Sequence, residues 1–377
     1  AHIKTIVIKQ VAQETTRELD LQAAGKSGQA MAVDILPDSL YDVASKTSWL
    51  NNNQLVSDIP GVTLYGPYTY FSTLFDPFST NVTNPFTGSM YAFQPFADLR
   101  FRTAFADAVN MTSIMINVNN KLGQVATSVV PPGMNPQGTY NSSITPAYSF
   151  NPYAVQTLLL SAMQSPITSF HYKNGTAAAS SAFNNAFGCN PLPSSGKCVS
   201  PTLQSIVLYD AQGDTVDAAI LNQIATVVQN VSTTYNMGLT VSVSLVPSGT
   251  LVTQGTSGQY YMYALGWFAD YPWVVDFLNP MYAPGGAYTG GDGWNLTSLK
   301  TLGAQAVAAT AIGNSSGLVK VTNMMNQIAN SQVMYLWTQY PIEFLAMTSN
   351  VQGFYFNPAL STDTGNVAGP QLFAPLS

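Results

Sequence analysis

Apolar and polar residues recur along the chain with two different periods, which predict short strands and helices following one another. An alternating pattern predicts a strand at 3–9, and the spacing from Thr16 to Ala24 predicts a helix. Further elements are predicted in the same N-terminal part: a strand at 30–36, a helix from Pro37 to Lys46, and strands at 62–66 and 69–75.

The middle of the chain carries two clear helix starts. The run 98–109 predicts an amphipathic helix whose apolar side groups Leu99, Phe101, Phe105 and Ala108. Asn110 is placed to cap a second helix. Asn151 and Pro152 open a third, which runs to Met163.

The C-terminal half predicts a βαβ-like unit and further alternating elements. The unit consists of a strand at 204–209, a helix at 214–235 and a strand at 239–246. Tyr260–Trp267 is apolar and predicts one buried strand. The last predicted elements are helices at 296–311 and 316–330 and strands at 332–340 and 342–347. This alternation predicts an α/β fold with mixed sheets.

The chain is unusually poor in charge. Charged residues make up 8% of its 377 residues, against about 25% in a typical soluble domain. Because protonation in acid destabilises a protein mainly through its carboxylates, a chain with few of them has little to lose. We therefore expect an acid-stable, archaeal-like extracellular protein; compositional drift in a glycosylated surface protein is the alternative.

The charge balance excludes several partners. A net charge of −6 and three arginines cannot neutralise a row of phosphates, so nucleic acid is excluded as the main ligand. No stretch of 18 apolar residues predicts a membrane span. Ala1 begins directly in a strand-like run, so any signal peptide is expected upstream of it.

Cysteines and sequons point to the same compartment. Cys189 and Cys198 flank a Pro- and Gly-containing loop and are predicted to form a disulfide, which is typical of proteins outside the cytosol. The spacing fits neither a redox CxxC pair nor a metal set. Asn-x-Ser/Thr acceptors, which are candidate glycosylation sites, occur at Asn81, Asn110, Asn141, Asn174, Asn230, Asn295 and Asn314.

Several motifs together resemble a known family. They occur in this order: Pro95–Ala104 followed by Asn110, Pro131–Gly133, Tyr148–Ala154 leading into Leu158–Leu160, and Gly266–Pro272. In this order they resemble the solute-binding proteins of ABC importers for oligopeptides and dipeptides (family 5), a group that also includes nickel and oligosaccharide binders. The resemblance covers residues 3–356.

The resemblance implies a fold and a domain organisation. It implies an α/β periplasmic-binding-protein-like fold (type II, cluster C) with two lobes and mixed sheets, lacking its N-terminal portion. Residues 1–76 would be part of domain I, 77–345 the C-terminal lobe with a disulfide-bearing insertion at 164–200, and 346–377 the return to domain I. Either a missing N-terminal fragment completes the binding wall, or this chain has abandoned transport-type binding; copies of the chain itself are the other expected partner.

The resemblance also implies a ligand and a site. Asp270 would pair with the α-ammonium group of a peptide, and Trp267 would line a side-chain pocket or stack on a sugar; Tyr271 and Trp273 would stand beside them. The structural alternatives are a helix-capping Asp270 and a core Trp267. Tyr282, Tyr288 and Trp294 suit either a cleft rim or rigid turns, whereas Arg100 and Arg102 are expected to pair within the lobe.

The expected function is capture of peptides, or less favourably oligosaccharides, outside the cell for the permease subunits of an ABC transporter, with membrane anchoring through segments outside this chain. The alternative is a glycosylated cell-surface structural subunit on the same fold. Neither a cofactor nor a metal site is predicted. No enzymatic activity is expected, because the histidines are only His2 and His171 and no spacing singles out a carboxylate pair.

Overall fold

The computed structural model describes residues 7, 14–35, 62–69, 72–83, 91–118, 123–168, 184–194, 196–271 and 273–348. The strand predicted at 3–9 and the helix predicted from Pro37 to Lys46 lie outside the described residues, apart from residue 7. Within the described N-terminal part, helix α1 (Glu14–Ser27) and strands β1 (Ala32–Ile35), β2 (Val62–Thr69) and β3 (Ser72–Pro77) confirm the predicted elements.

One long C-terminal strand organises the larger sheet. Strand β9 (Tyr335–Thr348) pairs antiparallel with β1, β2, β3 and the short β4 (Gly123–Val125). The prediction of two separate strands here was wrong. Pro341 lies inside one continuous strand opposite Gly123, and the partners change from β3 and β4 to β1 and β2 around it. Proline supplies no N–H to a ladder, which suits a position where pairing switches.

The predicted helix starts in the middle of the chain are confirmed. Helix α2 (Leu99–Asp107) begins after Asp98, whose carboxylate accepts the Arg100 N–H. The Asn110 side chain caps α3 (Met111–Asn117), and Asn151 caps α4 (Pro152–Gln164). Three of the four apolar residues predicted on one side of α2 are buried, but Leu99 is 40% exposed because it lies at the first helical position, outside the packed stripe.

The βαβ unit is also confirmed. Strand β5 (Gln204–Ala211) leads through α5 (Thr215–Tyr235) to β6 (Leu239–Val246), and the two strands are parallel. The predicted strand Tyr260–Trp267 divides in two, because the chain leaves one sheet for the other at Ala264. Strand β7 (Met262–Tyr263) pairs with β5, whereas β8 (Leu265–Phe268) pairs with β3 in the larger sheet.

Five helices follow along the rest of the described chain: α6 (Ser248–Thr256), α7 (Val275–Tyr282), α8 (Thr289–Asp292), α9 (Thr297–Ala311) and α10 (Ser315–Ser331). The last two confirm the prediction, but α6, α7 and α8 were missed. Pro280 lies inside α7 and glycines interrupt α6 and α8, so their patterns lack a helical signature. Gly291 is required there, since a Cβ would lie 2.1 Å from the Thr256 carbonyl oxygen.

Two hydrophobic clusters form the core. The first packs α2, α4 and α5 against β5 through residues such as Phe101, Leu159 and Ile220. The second surrounds the aromatic side chains of Phe75 and Trp337 with residues of α7, α9 and α10. Tyr148 joins both clusters, and its hydroxyl accepts the Trp337 backbone N–H at 2.7 Å.

The two cysteines are neighbours but carry free thiols in the structure, which differs from the disulfide expected from the sequence. Cys198 is buried, 4.0 Å from the Met163 sulfur, and burial together with a side-chain hydrogen bond to Cys189 raises its pKa to about 11. Since the two side chains already meet, the disulfide stays a prediction.

The glycosylation sites stay a prediction as well. Asn230 and Asn314 are exposed, whereas Asn81, Asn110, Asn141 and Asn295 are half-buried and Asn174 lies outside the described residues. Asn110 and Asn314 also cap helices through their side-chain oxygens.

Buried carboxyl groups make the stability of the fold pH-dependent, and Asp292 is the simplest case. Its side chain is fully buried, Tyr263 donates to one oxygen at 3.2 Å, and the other oxygen has no partner. Burial raises the pKa of Asp292 well above its usual value, against a smaller lowering by Tyr263. The proton is therefore bound more tightly in the folded than in the unfolded chain.

We expect the protein to be more stable in acid than at neutral pH. A raised carboxyl pKa contributes stability that is fully present below the unfolded pKa of about 3.9 and is lost as pH rises towards the folded pKa. Asp292→Asn should raise Tm at pH 7 by several degrees and leave Tm near pH 4 almost unchanged, measured by thermal unfolding with a chelator present. Asp20→Asn, at an exposed position of α1, is the control. Equal pH profiles for wild type and Asp292→Asn would contradict this expectation.

Candidate functional site

The four residues predicted to bind ligand lie at the end of strand β8. This strand is the edge of the ordered path β1-β9-β3-β8, and it pairs antiparallel with β3. Residues 269–271, 273 and 274 lie between the end of β8 and the start of α7 at Val275. The turn is anchored on its far side, where the Val274 N–H donates to the Asn135 carbonyl at 2.8 Å. Strand, turn and helix thus place all four residues in one segment.

A residue outside the predicted set holds this turn in shape. Asp276, in the first turn of α7, is buried and accepts the Asp270 backbone N–H at 2.6 Å. Burial raises the pKa of the Asp276 carboxyl, while the hydrogen bond from the Asp270 backbone lowers it by less. The sequence analysis did not single out Asp276; its position six residues after Asp270 was the available signal.

Asp270 itself presents its carboxylate to solvent. The residue is exposed, and no described lysine or arginine forms an ion pair with it. The alternative of a helix-capping aspartate does not apply to α7, whose N-cap is Val274 without a side-chain cap. A carboxylate with a fixed backbone and no protein cation beside it is suited to bind a cationic group of a ligand.

The three aromatic residues differ in exposure. Tyr271 is 47% exposed, whereas Trp267 and Trp273 are half-buried and pack against the second hydrophobic cluster. The Trp267 ring meets the Tyr288 ring edge-on at 6.0 Å. One part of the Trp267 ring therefore packs in the core, as the structural alternative expected. The exposed part of each indole can contact a ligand.

The aromatic residues considered for the cleft rim belong to the core. Tyr282, Tyr288 and Trp294 are 1%, 3% and 9% exposed, because α7 and the turns after it pack onto the second cluster. The expected pairing of the arginines within the lobe is confirmed. Arg100 forms an ion pair with Asp98 at 2.6 Å, and Arg102 donates to backbone carbonyls.

Comparison with known proteins decides the family. The family model described as bacterial extracellular solute-binding proteins, family 5 Middle, matches residues 1–289. The chain belongs to this family. This confirms the resemblance stated from the motifs, and the members of family 5 are described as extracellular solute-binding proteins. No curated protein sequence matches the chain.

Solved structures of similar fold confirm the fold class of this family-5 chain. DppA from Helicobacter pylori in complex with peptide STSA matches with a TM-score of 0.60 and 13% identity over 92% of this chain and 53% of that one. AppA from Bacillus subtilis in complex with a nonapeptide gives 0.60 and 16% over 93% and 57%. A dipeptide binding protein from Pseudoalteromonas sp. SM9913 in complex with Met-Leu gives 0.60 and 15% over 92% and 55%. The chain thus spans a little over half of the length of these proteins and has their periplasmic-binding-protein-like α/β fold.

Proposed function

We propose that this family-5 protein captures peptides outside the cell for the permease subunits of an ABC importer. The observation that carries the proposal is the Asp270 carboxylate, exposed at the end of β8 on a turn fixed by Asp276. Its support comes from the family and from the peptide-bound proteins of the same fold.

The proposed contacts follow from the chemistry of the four side chains. Asp270 would accept hydrogen bonds from the α-ammonium group of a peptide, a charge-assisted contact about twice as strong as a neutral one. Trp267 and Trp273 would offer flat apolar surface to the first side chains of the peptide. The Trp273 indole N–H is buried and has no hydrogen-bond partner among the described residues. Tyr271 would close the exposed side.

The chain would supply one whole lobe and part of the other. We propose that residues 77–345 form the C-terminal lobe and that 1–76 and 346–377 belong to domain I, consistent with the change of β9 partners around Pro341. A further fragment would complete domain I, and binding would close the lobes by a hinge motion. No described helix has the length and apolarity to cross a bilayer. The proposal places membrane anchoring in segments outside this chain.

The test compares peptides with free and blocked N-termini by isothermal titration calorimetry of the purified full-length protein. We expect tri- to pentapeptides with a free amine to bind, and their N-acetylated forms to bind at least about tenfold more weakly, a loss of about 1.4 kcal/mol. Binding of oligosaccharides alone, or equal affinity for free and acetylated peptides, would overturn the proposal. A glycosylated structural subunit would bind neither class and would self-associate.

A further inference from the structure

Away from the turn at β8, three carboxylates converge at the end of strand β5. Asp210 lies near the end of β5, Asp214 is the N-cap of α5, and Asp217 lies in the first turn of that helix. One carboxylate oxygen of each lies within 4.8 Å of the others. The sequence analysis did not use these residues.

Local backbone geometry explains why the three side chains meet. Gly213, with φ +95°, makes the tight turn between β5 and α5 that brings Asp214 back beside Asp210. One Asp214 oxygen accepts the Val216 and Asp217 N–H groups at 3.0 and 2.9 Å. These capping bonds account for the position of Asp214, but they leave one buried oxygen of Asp210 and one of Asp217 without a hydrogen-bond partner.

A fourth carboxylate, from a different sheet, interacts electrostatically with this group. Asp76 of β3 is fully buried, and both of its oxygens lack a hydrogen-bond partner. Its charge interacts with Asp210 and Asp214, and it acts in turn on Asp217. The juxtaposition follows from the topology, because Phe78 after β3 bridges to Met262 of β7, and β7 pairs with β5.

Three of these carboxylates have no counter-charge among the described residues. No described lysine or arginine forms an ion pair with Asp76, Asp210 or Asp217. An isolated buried carboxylate is costly to ionise, and several close together repel one another as well. The carboxylate oxygens that have no hydrogen-bond partner are therefore suited to bind a cation from solution.

The spacing and chemistry of the oxygens fit a calcium ion. Ca²⁺ takes six to eight oxygen ligands at about 2.3–2.6 Å, so two ligands on opposite sides of the ion lie about 4.8 Å apart. The three aspartate oxygens lie within 4.8 Å of one another, so the bonds of a single Ca²⁺ ion can reach all of them. Mg²⁺ fits less well, because it requires shorter octahedral bonds and gives up its water reluctantly.

We propose that Asp76, Asp210, Asp214 and Asp217 bind one Ca²⁺ ion. The ion would join β3 of the larger sheet to β5 and α5 of the smaller one. It would bind the buried oxygens of Asp76, Asp210 and Asp217 that have no hydrogen-bond partner and would thereby stabilise the fold. This site is separate from the peptide contacts at Asp270 and does not depend on them.

The test uses the full-length protein, first freed of metal with EGTA and dialysed. Added Ca²⁺ is expected to raise Tm and to bind with a stoichiometry of one ion per chain in isothermal titration calorimetry, and Mg²⁺ at the same concentration should raise Tm less. Asp217→Asn should weaken Ca²⁺ binding at least tenfold. Asp76→Asn provides a second variant with the same expectation, should Asp217→Asn fail to fold. Asp20→Asn, which removes one exposed carboxylate from α1, should bind Ca²⁺ like wild type.

Two results would overturn the site. One is a wild-type Tm that neither EGTA nor Ca²⁺ changes up to about 10 mM, ten times the weakest Kd typical of extracellular sites (about 10⁻³ M). In that case Asp76→Asn or Asp217→Asn should raise the Tm of the metal-free protein. That result would show that the buried carboxyl groups are protonated and do not bind a metal ion. The other is an unchanged Ca²⁺ affinity in both folded variants, which would place the bound ion elsewhere.

Discussion

Asp270→Asn is expected to weaken the binding of free peptides by well over tenfold, or more than about 1.4 kcal/mol. The substitution keeps the shape of the side chain and removes the charge that would meet the α-ammonium group. Because the turn is held by the Asp270 backbone N–H on Asp276 and not by the Asp270 side chain, its geometry should survive. Calorimetric titration of one free peptide into wild type and variant measures the change.

Two comparisons separate this role from a general effect of charge or folding. N-acetylated peptide should bind wild type and Asp270→Asn with similar affinity, since the group that Asp270 recognises is absent. Asp20→Asn removes an equal charge at an exposed position of α1 and should bind free peptide like wild type. An unchanged affinity of Asp270→Asn for free peptide would remove Asp270 from the site, and a loss that depends instead on Trp267 would favour stacking on a sugar.

Arg102→Met is expected to lower the free energy of unfolding by about 3–5 kcal/mol. The Arg102 guanidinium is buried and donates to three backbone carbonyls: to Gln332 at 2.8 and 3.0 Å, to Val333 at 3.1 Å and to Phe96 at 2.5 Å. It also lies 4.8 Å from the centre of the Trp294 ring. Methionine would fill much of the space but leave those carbonyls without a donor. Burial lowers the pKa of Arg102 to about 9, which still leaves it charged at neutral pH.

The comparison with Arg100 tests whether burial is the cause. The Arg100 side chain is 26% exposed and forms an ion pair with Asp98, whose side chain is 6% exposed. Because water still reaches the Arg100 guanidinium, Arg100→Met should cost less stability than Arg102→Met. Arg102→Lys should fall between, because an ammonium group cannot reach three carbonyls with the planar fork of arginine. Urea unfolding with a common slope measures all three variants, and similar losses for Arg100→Met and Arg102→Met would contradict the assigned role.

The predictions that held depend on short-range interactions. Asn110 and Asn151 cap their helices through N–H groups three residues away, so the signal and its partner lie in the same stretch of sequence. The βαβ unit is similar, since its helix and strands each carry a complete apolar pattern. The motifs that placed the chain in family 5 are local as well.

The predictions that failed depend on partners from elsewhere in the chain. The run 260–267 has one apolar pattern, but pairing with β5 and then with β3 divides it into two strands in two sheets. The opposite happens around Pro341, where a proline typical of a strand boundary lies inside a strand with several partners. The sequence left Tyr288 as either a cleft-rim residue or part of a rigid turn. It is buried, and its hydroxyl donates to the Gly266 carbonyl of β8 at 2.7 Å.

The sequence by itself determined the α/β class, the family and the segment that carries Asp270, because each of these depends on a pattern of contiguous residues. Only the tertiary structure showed that Asp276 accepts the Asp270 N–H and that Arg102 donates to three carbonyls. It also showed that Asp76 interacts electrostatically with the aspartates of the β5–α5 turn. The physical reason is burial. A carboxylate or guanidinium requires protein partners only when packing removes its water. Those partners come from the neighbouring strands of the fold, which are distant in sequence.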